Sequence, residues 1–169
     1  MRGFSFLPIR SAYCAQQSRI MERRSHLWFA GQFVLFCAIL LAPFVGRFDC
    51  PLWVRALGLV ILVSGVIIAV RGYRTLGSSH SPWTNPLKGG HLVTTGIYHH
   101  LRHPIYVGWI VAAVGWALVW GTLFGVGVAF AAFIFYDLKS REEERWLLAR
   151  YREYSAYQHE VRRFIPGIY

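Results

Sequence analysis

The chain has 169 residues, of which 55% are hydrophobic and 17% aromatic while only 15% are charged, and its mean hydropathy is +0.37. This is too apolar for an ordinary soluble domain and places the chain in the membrane class. The formal charge of +10 does not make it a nucleic-acid binder, because the basic residues are interrupted by long uncharged runs and read as orientation signals at their flanks. Cys14, Cys37 and Cys50 form no CxxC pair and no even set, which argues against a disulfide framework and structural zinc.

Residues 1–26 carry Arg2, Arg10, Arg19, Arg23 and Arg24 with little apolar periodicity, and they read as a flexible basic arm on the cytoplasmic side. Residues 27–45 form an uncharged run of span length, and with no small-x-small pattern after it a cleaved signal peptide is not expected. Pro43, Gly46 and Pro51 bracket a turn before a second span, 52–70, in which Arg55 is close enough to the start to snorkel to the interface. From Arg71 to Arg102 the sequence is polar and rich in breakers, so a substantial loop is predicted.

The next apolar run, Ile105 to Tyr136, holds 32 residues without a charge. As one helix it would be about 48 Å long against a hydrocarbon core of about 30 Å. Gly121 and Thr122 near its middle predict a tight hairpin of two short spans, 105–120 and 122–136. Charge supports four spans: five Lys or Arg lie in the arm, four between Arg71 and Arg102, and seven after Asp137, leaving only Arg47 and Arg55 on the other side. Both termini are then cytoplasmic. The tail predicts an amphipathic cytosolic helix over about 140–157, with Leu147, Tyr151 and Tyr154 on one face. The expected fold is thus an all-α membrane protein of about four transmembrane helices, the last two a hairpin, plus this tail helix.

A hairpin brings its two ends together, so Arg102 and His103 should lie near Lys139 and Glu143. Five of the seven histidines, His80, His91, His99, His100 and His103, fall between Arg74 and Pro104, which raises the question of a metal. Membrane di-iron hydroxylases resemble this only in part, since their histidine boxes need more histidines than stand outside the loop, and the loop has no carboxylate. No metal is expected. Pro104 suits the first turn of a helix and leaves neighbouring amides free for an anion, beside which Arg102 either docks a carboxylate or phosphate or anchors the helix end to lipid phosphates. The acidic triplet Glu142, Glu143, Glu144 is either helix-terminal charge or a carboxylate for ligand hydroxyl or amino groups.

Leu92-Val93-Thr94-Thr95-Gly96-Ile97-Tyr98, Arg102-His103-Pro104-Ile105-Tyr106-Val107-Gly108-Trp109, Glu143-Glu144 with Leu147, Tyr151, Tyr154 and Tyr157, and finally Val161, Arg163 and Pro166 together resemble the isoprenylcysteine carboxyl methyltransferases and their phospholipid methyltransferase relatives. The resemblance covers about residues 70–166. It implies an integral membrane enzyme that binds S-adenosylmethionine on the cytosolic side without a Rossmann domain, with residues 27–169 as a single methyltransferase domain. Carried over by position, the cofactor site would comprise Gly90, His91, Leu92, Val93, Tyr98, His103, Pro104, Ile105, Tyr106 and Glu143, with Arg102 and Lys139 as the catalytic candidates. The family places an arginine where this chain has Lys139, a point charge without the bidentate fork. The phenylalanine-glycine pair usual near Tyr151-Arg152-Glu153-Tyr154 is replaced, and Arg162 stands where proline is common. The implied partners are membrane lipids and a lipid-like or small apolar methyl acceptor, and a bacterial inner membrane is the expected location. A carboxylate or thiolate acceptor arrives nucleophilic, whereas an amine or phenol needs His103 or Glu143 as base. The alternatives are an NADPH-dependent membrane reductase resembling the steroid reductases, and a noncatalytic membrane scaffold.

Overall fold

The computed structural model describes residues 7–77 and 91–169, with the side chains of the first helix from Arg24 onward. That helix, α1, runs Leu7–Leu41. It takes in most of the stretch expected as a flexible arm, and the reason is local. No glycine or proline falls between Ile9 and Ala30, and alanine, arginine, glutamine and glutamate there favour helix, so nothing stops the turn pattern before the membrane run begins. A 3-10 turn, Ala42–Phe44, ends it around buried Pro43.

Helix α2, Leu52–Leu76, starts directly after Pro51 and extends six residues past the predicted Val70 before Gly77 stops it at φ +52°. A second 3-10 turn, Gly96–His99, leads into α3, Pro104–Trp120. Gly121 then turns the chain in the left-handed region (φ +60°) and Thr122 caps α4, its hydroxyl accepting from the Gly125 N–H and donating to the Val45 carbonyl at 2.8 Å. The Phe48 N–H donates to the Gly121 carbonyl, which ties the hairpin tip to the α1–α2 connection.

Helix α4 spans Leu123–Arg150 without interruption, and a short α5, Tyr154–Glu160, follows. This corrects the expected separate tail helix over 140–157. Residues 137–150 contain no breaker and are laced by Arg141–Asp137 (i,i+4) and Arg145–Glu142 (i,i+3) ion pairs, so the fourth membrane helix projects straight out of the apolar zone. The break comes instead at Tyr151, which is extended (φ −118°, ψ 115°).

Three segments, Arg24–Phe44, Leu52–Leu76 and Leu123–Arg150, are long and apolar enough to cross a membrane. Helix α3 has 17 residues, about 26 Å at 1.5 Å per residue, and completes the hairpin within a bilayer core of about 30 Å. Among the described residues the architecture is helical throughout, with only two isolated β-bridges, Arg47 to Thr122 and Leu101 to Arg162.

The two sides of α3 pack differently. Toward α2, Gly58, Gly65 and Gly72 recur every seven residues; across the seam Gly58 meets Gly115, Gly65 meets Gly108 and Ala112, and Gly72 meets Ile105. A Cβ at Gly58 would stand 2.7 Å from the Val119 backbone nitrogen, and one at Gly65 or Gly115 would run into the Ala112 or Leu62 backbone. With no hydrophobic drive between helices in lipid, such close backbone approach supplies the dispersion contact that holds them. On the other side, α1 meets α4 loosely and a cavity of about 300 Å³ opens between α1, α3 and α4.

Candidate active site

The end of the hairpin opposite Gly121 collects the polar groups. His103 is the residue before Pro104 at the start of α3, and the strand-like segment 162–163 lies against it: the Arg102 N–H donates to the Arg162 carbonyl at 2.9 Å and the His103 N–H to the Arg163 carbonyl at 3.3 Å. From the projecting part of α4, Glu144 enters the space between them and is 3% exposed. It accepts from Arg102 Nε at 2.9 Å, Arg163 Nη2 at 2.8 Å and Gln158 Nε2 at 3.2 Å, and His103 Nε2 stands 3.1 Å from the same carboxylate. A carboxylate can only accept, so the histidine tautomer that bonds here carries its proton on Nε2.

Arg102 spends its remaining reach on the tail, where Nη1 donates to the Gln158 carbonyl at 2.6 Å and the Val161 carbonyl at 2.8 Å. Buried and committed to internal acceptors, the guanidinium acts as a strut that holds residues 158–163 over the start of α3.

Glu143, one residue earlier on α4, is placed differently. Its side chain is 24% exposed; Oε2 accepts from the Tyr106 hydroxyl at 2.8 Å and lies 3.7 Å from His103 Nδ1. The His103 and Tyr106 rings are stacked with centroids 5.4 Å apart, and Tyr106 stacks in turn on Tyr136 at 4.8 Å. Lys139, 2% exposed, donates from Nζ to Gln32 Oε1 at 2.7 Å, which links α4 to α1, and the ammonium sits 5.3 Å from the Tyr106 ring centroid. His103, Tyr106, Lys139 and Glu143 therefore converge, as the hairpin requires.

The other predicted residues divide. Gly90 lies outside the described residues, and His91 is at the surface. Leu92 packs beneath α5 with Tyr154, Tyr157 and Val161, and Val93 is half-buried. Tyr98 is buried, and its carbonyl accepts from the Tyr157 hydroxyl at 2.6 Å. Burial, reinforced by the charge of Glu143, pushes the Tyr98 phenol well above its ordinary range, so it stays neutral. Pro104 and Ile105 turn to the seam, where a Cβ on Gly72 of α2 would stand 2.7 Å from Ile105 Cγ1 and 3.4 Å from Pro104 Cγ. Their side chains thus position α3 and do not join the polar cluster. His99 and His100 meet edge to face on the surface at 5.2 Å.

Three residues central to the arrangement, Glu144, Tyr136 and Gln32, are not among the site residues read from sequence, although Glu144 stands in the acidic triplet. Glu144 had a readable signal, since Asp137, Ser140 and Glu144 lie on one helical face at spacings of three and four. Gln32 is a polar residue inside the uncharged run 27–45, but sequence alone offers it no partner.

The profile of the phospholipid methyltransferase family matches residues 53–154. The protein-S-isoprenylcysteine O-methyltransferase of Xenopus laevis is 32% identical over 120 residues, covering 69% of this chain and 42% of that protein. The Dictyostelium discoideum enzyme of the same name is 31% identical over 116 residues, covering 66% and 49%. A solved structure of the eukaryotic intramembrane Ras methyltransferase, isoprenylcysteine carboxyl methyltransferase, superposes with a TM-score of 0.63 and 26% identity over 90% of this chain and 53% of that one. The chain spans less than half the length of these curated relatives. None of the relatives named is a reductase, and being eukaryotic they lend no support to a bacterial membrane. With a family match over more than half its length that runs from the start of α2 through the hairpin to the first residue of α5, this membrane protein belongs to the phospholipid methyltransferase family.

Proposed function

We propose that the protein is an integral membrane enzyme that transfers a methyl group from S-adenosylmethionine to a lipid-like acceptor of the isoprenylcysteine carboxylate type. The observation that carries this reading is the junction at Tyr136: one face of its ring stacks on Tyr106 in the polar cluster, and the same residue lines the apolar cavity. A polar nucleoside and an apolar tail could be held in one protein only where two such compartments touch. Cavity walls such as Phe29, Phe33, Phe36 and Ile39 of α1 suit an aliphatic chain.

The polar side also suits the cofactor. S-adenosylmethionine, when bound, supplies an electrophilic methyl on a sulfonium cation. The stacked His103, Tyr106 and Tyr136 rings offer π faces, and Glu143 offers a partly exposed carboxylate whose Oε1 has no hydrogen-bond partner among the described residues. Gly90, His91, Leu92, Val93 and Tyr98 would form the loop side of that pocket, within a single domain over 27–169 whose termini are cytoplasmic by the distribution of Lys and Arg. A carboxylate acceptor needs no base, so the work of the chain is alignment and water exclusion. Lys139 then steadies the acceptor's charge while Glu143 and His103 orient the donor.

Calorimetry on the purified chain tests this. The wild type should bind S-adenosylmethionine, and His103→Ala and Glu143→Ala should each weaken binding by about tenfold or more, the scale of one charge-assisted hydrogen bond. A folded wild type that does not bind the cofactor refutes the reading.

A further inference from the structure

The apolar cavity between α1, α3 and α4 is lined by carbon except at three residues, Gln32, Trp109 and Tyr136. The polar atoms available there are biased toward donors. Trp109 Nε1 is buried with no acceptor among the described residues. The oxygen of the Gln32 amide is occupied by Lys139 Nζ, at 2.7 Å, which leaves the amide NH2 as the group it has to give. Lys139 itself is 2% exposed, and among the described residues no ion pair joins it to a carboxylate; Glu143, one turn on, acts on the ammonium through space while its Oε2 accepts from Tyr106 and lies 3.7 Å from His103 Nδ1. An ammonium has three donors, and Gln32 takes one. A buried cation that no carboxylate touches is costly, and a site that presents donors and few acceptors calls for a ligand that brings acceptors and negative charge.

We infer that Gln32 is a specificity-determining positioning residue: from the cavity wall it holds the Lys139 ammonium beside the cavity and over the Tyr106 ring, so that the ammonium and the Gln32 amide together grip a carboxylate on the head of the acceptor. The inference rests on the reading that the cavity takes the methyl acceptor. Where a guanidinium would present a fork by itself, this chain assembles two donors from two helices, an ammonium from α4 and an amide from α1.

The test compares two probes, S-farnesyl-N-acetylcysteine as the free acid and as its primary carboxamide, binding to the full-length protein in detergent. The wild type should prefer the acid by about tenfold or more, as expected for a charge-assisted contact. Gln32→Leu should bring the acid within about threefold of the amide and raise KM for the acid with kcat largely kept. Gln32→Glu, nearly isosteric, should pair with Lys139 and abolish the preference while leaving amide binding intact. Unchanged S-adenosylmethionine affinity certifies the fold of each variant, and if Gln32→Leu does not fold the Glu variant decides. Retention of the acid preference in the folded variants overturns the inference and leaves the proposed function standing, as does a wild type that binds both probes equally. A wild type that binds the cofactor but neither probe overturns the acceptor reading and this inference with it.

Discussion

The two flanks of α3 solve opposite problems. On the α2 side the helices touch backbone to backbone through Gly58, Gly65, Gly108 and Gly115, and there is no room for a methyl group. On the α1 side the same helix faces a cavity of about 300 Å³, and α1 is joined to α4 at its polar level by the Lys139–Gln32 hydrogen bond. The difference shows where the bundle is rigid and where it can admit a ligand. Helix α3 is fixed against α2 by backbone contact, so the residues at its start keep their geometry, whereas α1 is held by side chains alone, through Lys139–Gln32, Arg24–Glu142 and the Trp28–Phe135 and Phe36–Trp109 ring contacts.

Substitutions can break this contrast at graded levels. The largest effect is expected at the polar clamp that caps the rigid side: Glu144→Ala leaves Arg102 and Arg163 without their shared carboxylate and should cost about 3–5 kcal/mol, read as loss of the folded fraction in a thermal or denaturant melt. Glu143→Ala, one residue away and partly exposed, should leave the melt nearly unchanged. Next comes Gly115→Ala, whose added carbon meets the Leu62 backbone; about 1–3 kcal/mol of destabilisation is expected from forced separation of α2 and α3. The same exchange at Gly31 of α1 should cost under about 1 kcal/mol, because the new carbon meets only the Phe135 ring edge, which can turn away. Equal destabilisation at Gly115 and Gly31 would show that the two flanks do not differ as described.

Much of this was legible in the sequence, for identifiable reasons. The hairpin could be read because 32 uncharged residues exceed one bilayer crossing, and the meeting of His103 with Lys139 and Glu143 followed from it. The end of α4 was misread because charge begins where the membrane ends, at Asp137, whereas a helix ends where its backbone pattern is broken, at Tyr151. Glu143 and Glu144 are adjacent in sequence but about 100° apart around a helix of 3.6 residues per turn. Which of the two meets the arginines depends on the phase of α4, and that is set by packing against α3. The cavity was illegible because it is a gap, made by how α1 fails to close on α3, and no single residue encodes it.

The clamp around Glu144 also closes a long loop of chain. Arg102 finds its carbonyl partners on Gln158 and Val161, more than fifty residues later in the sequence. The last turn of the protein is therefore part of the scaffold at the start of α3, and a truncation after Arg150, which keeps all four long helices, removes the partners of Arg102 on Gln158, Val161 and Arg162 together.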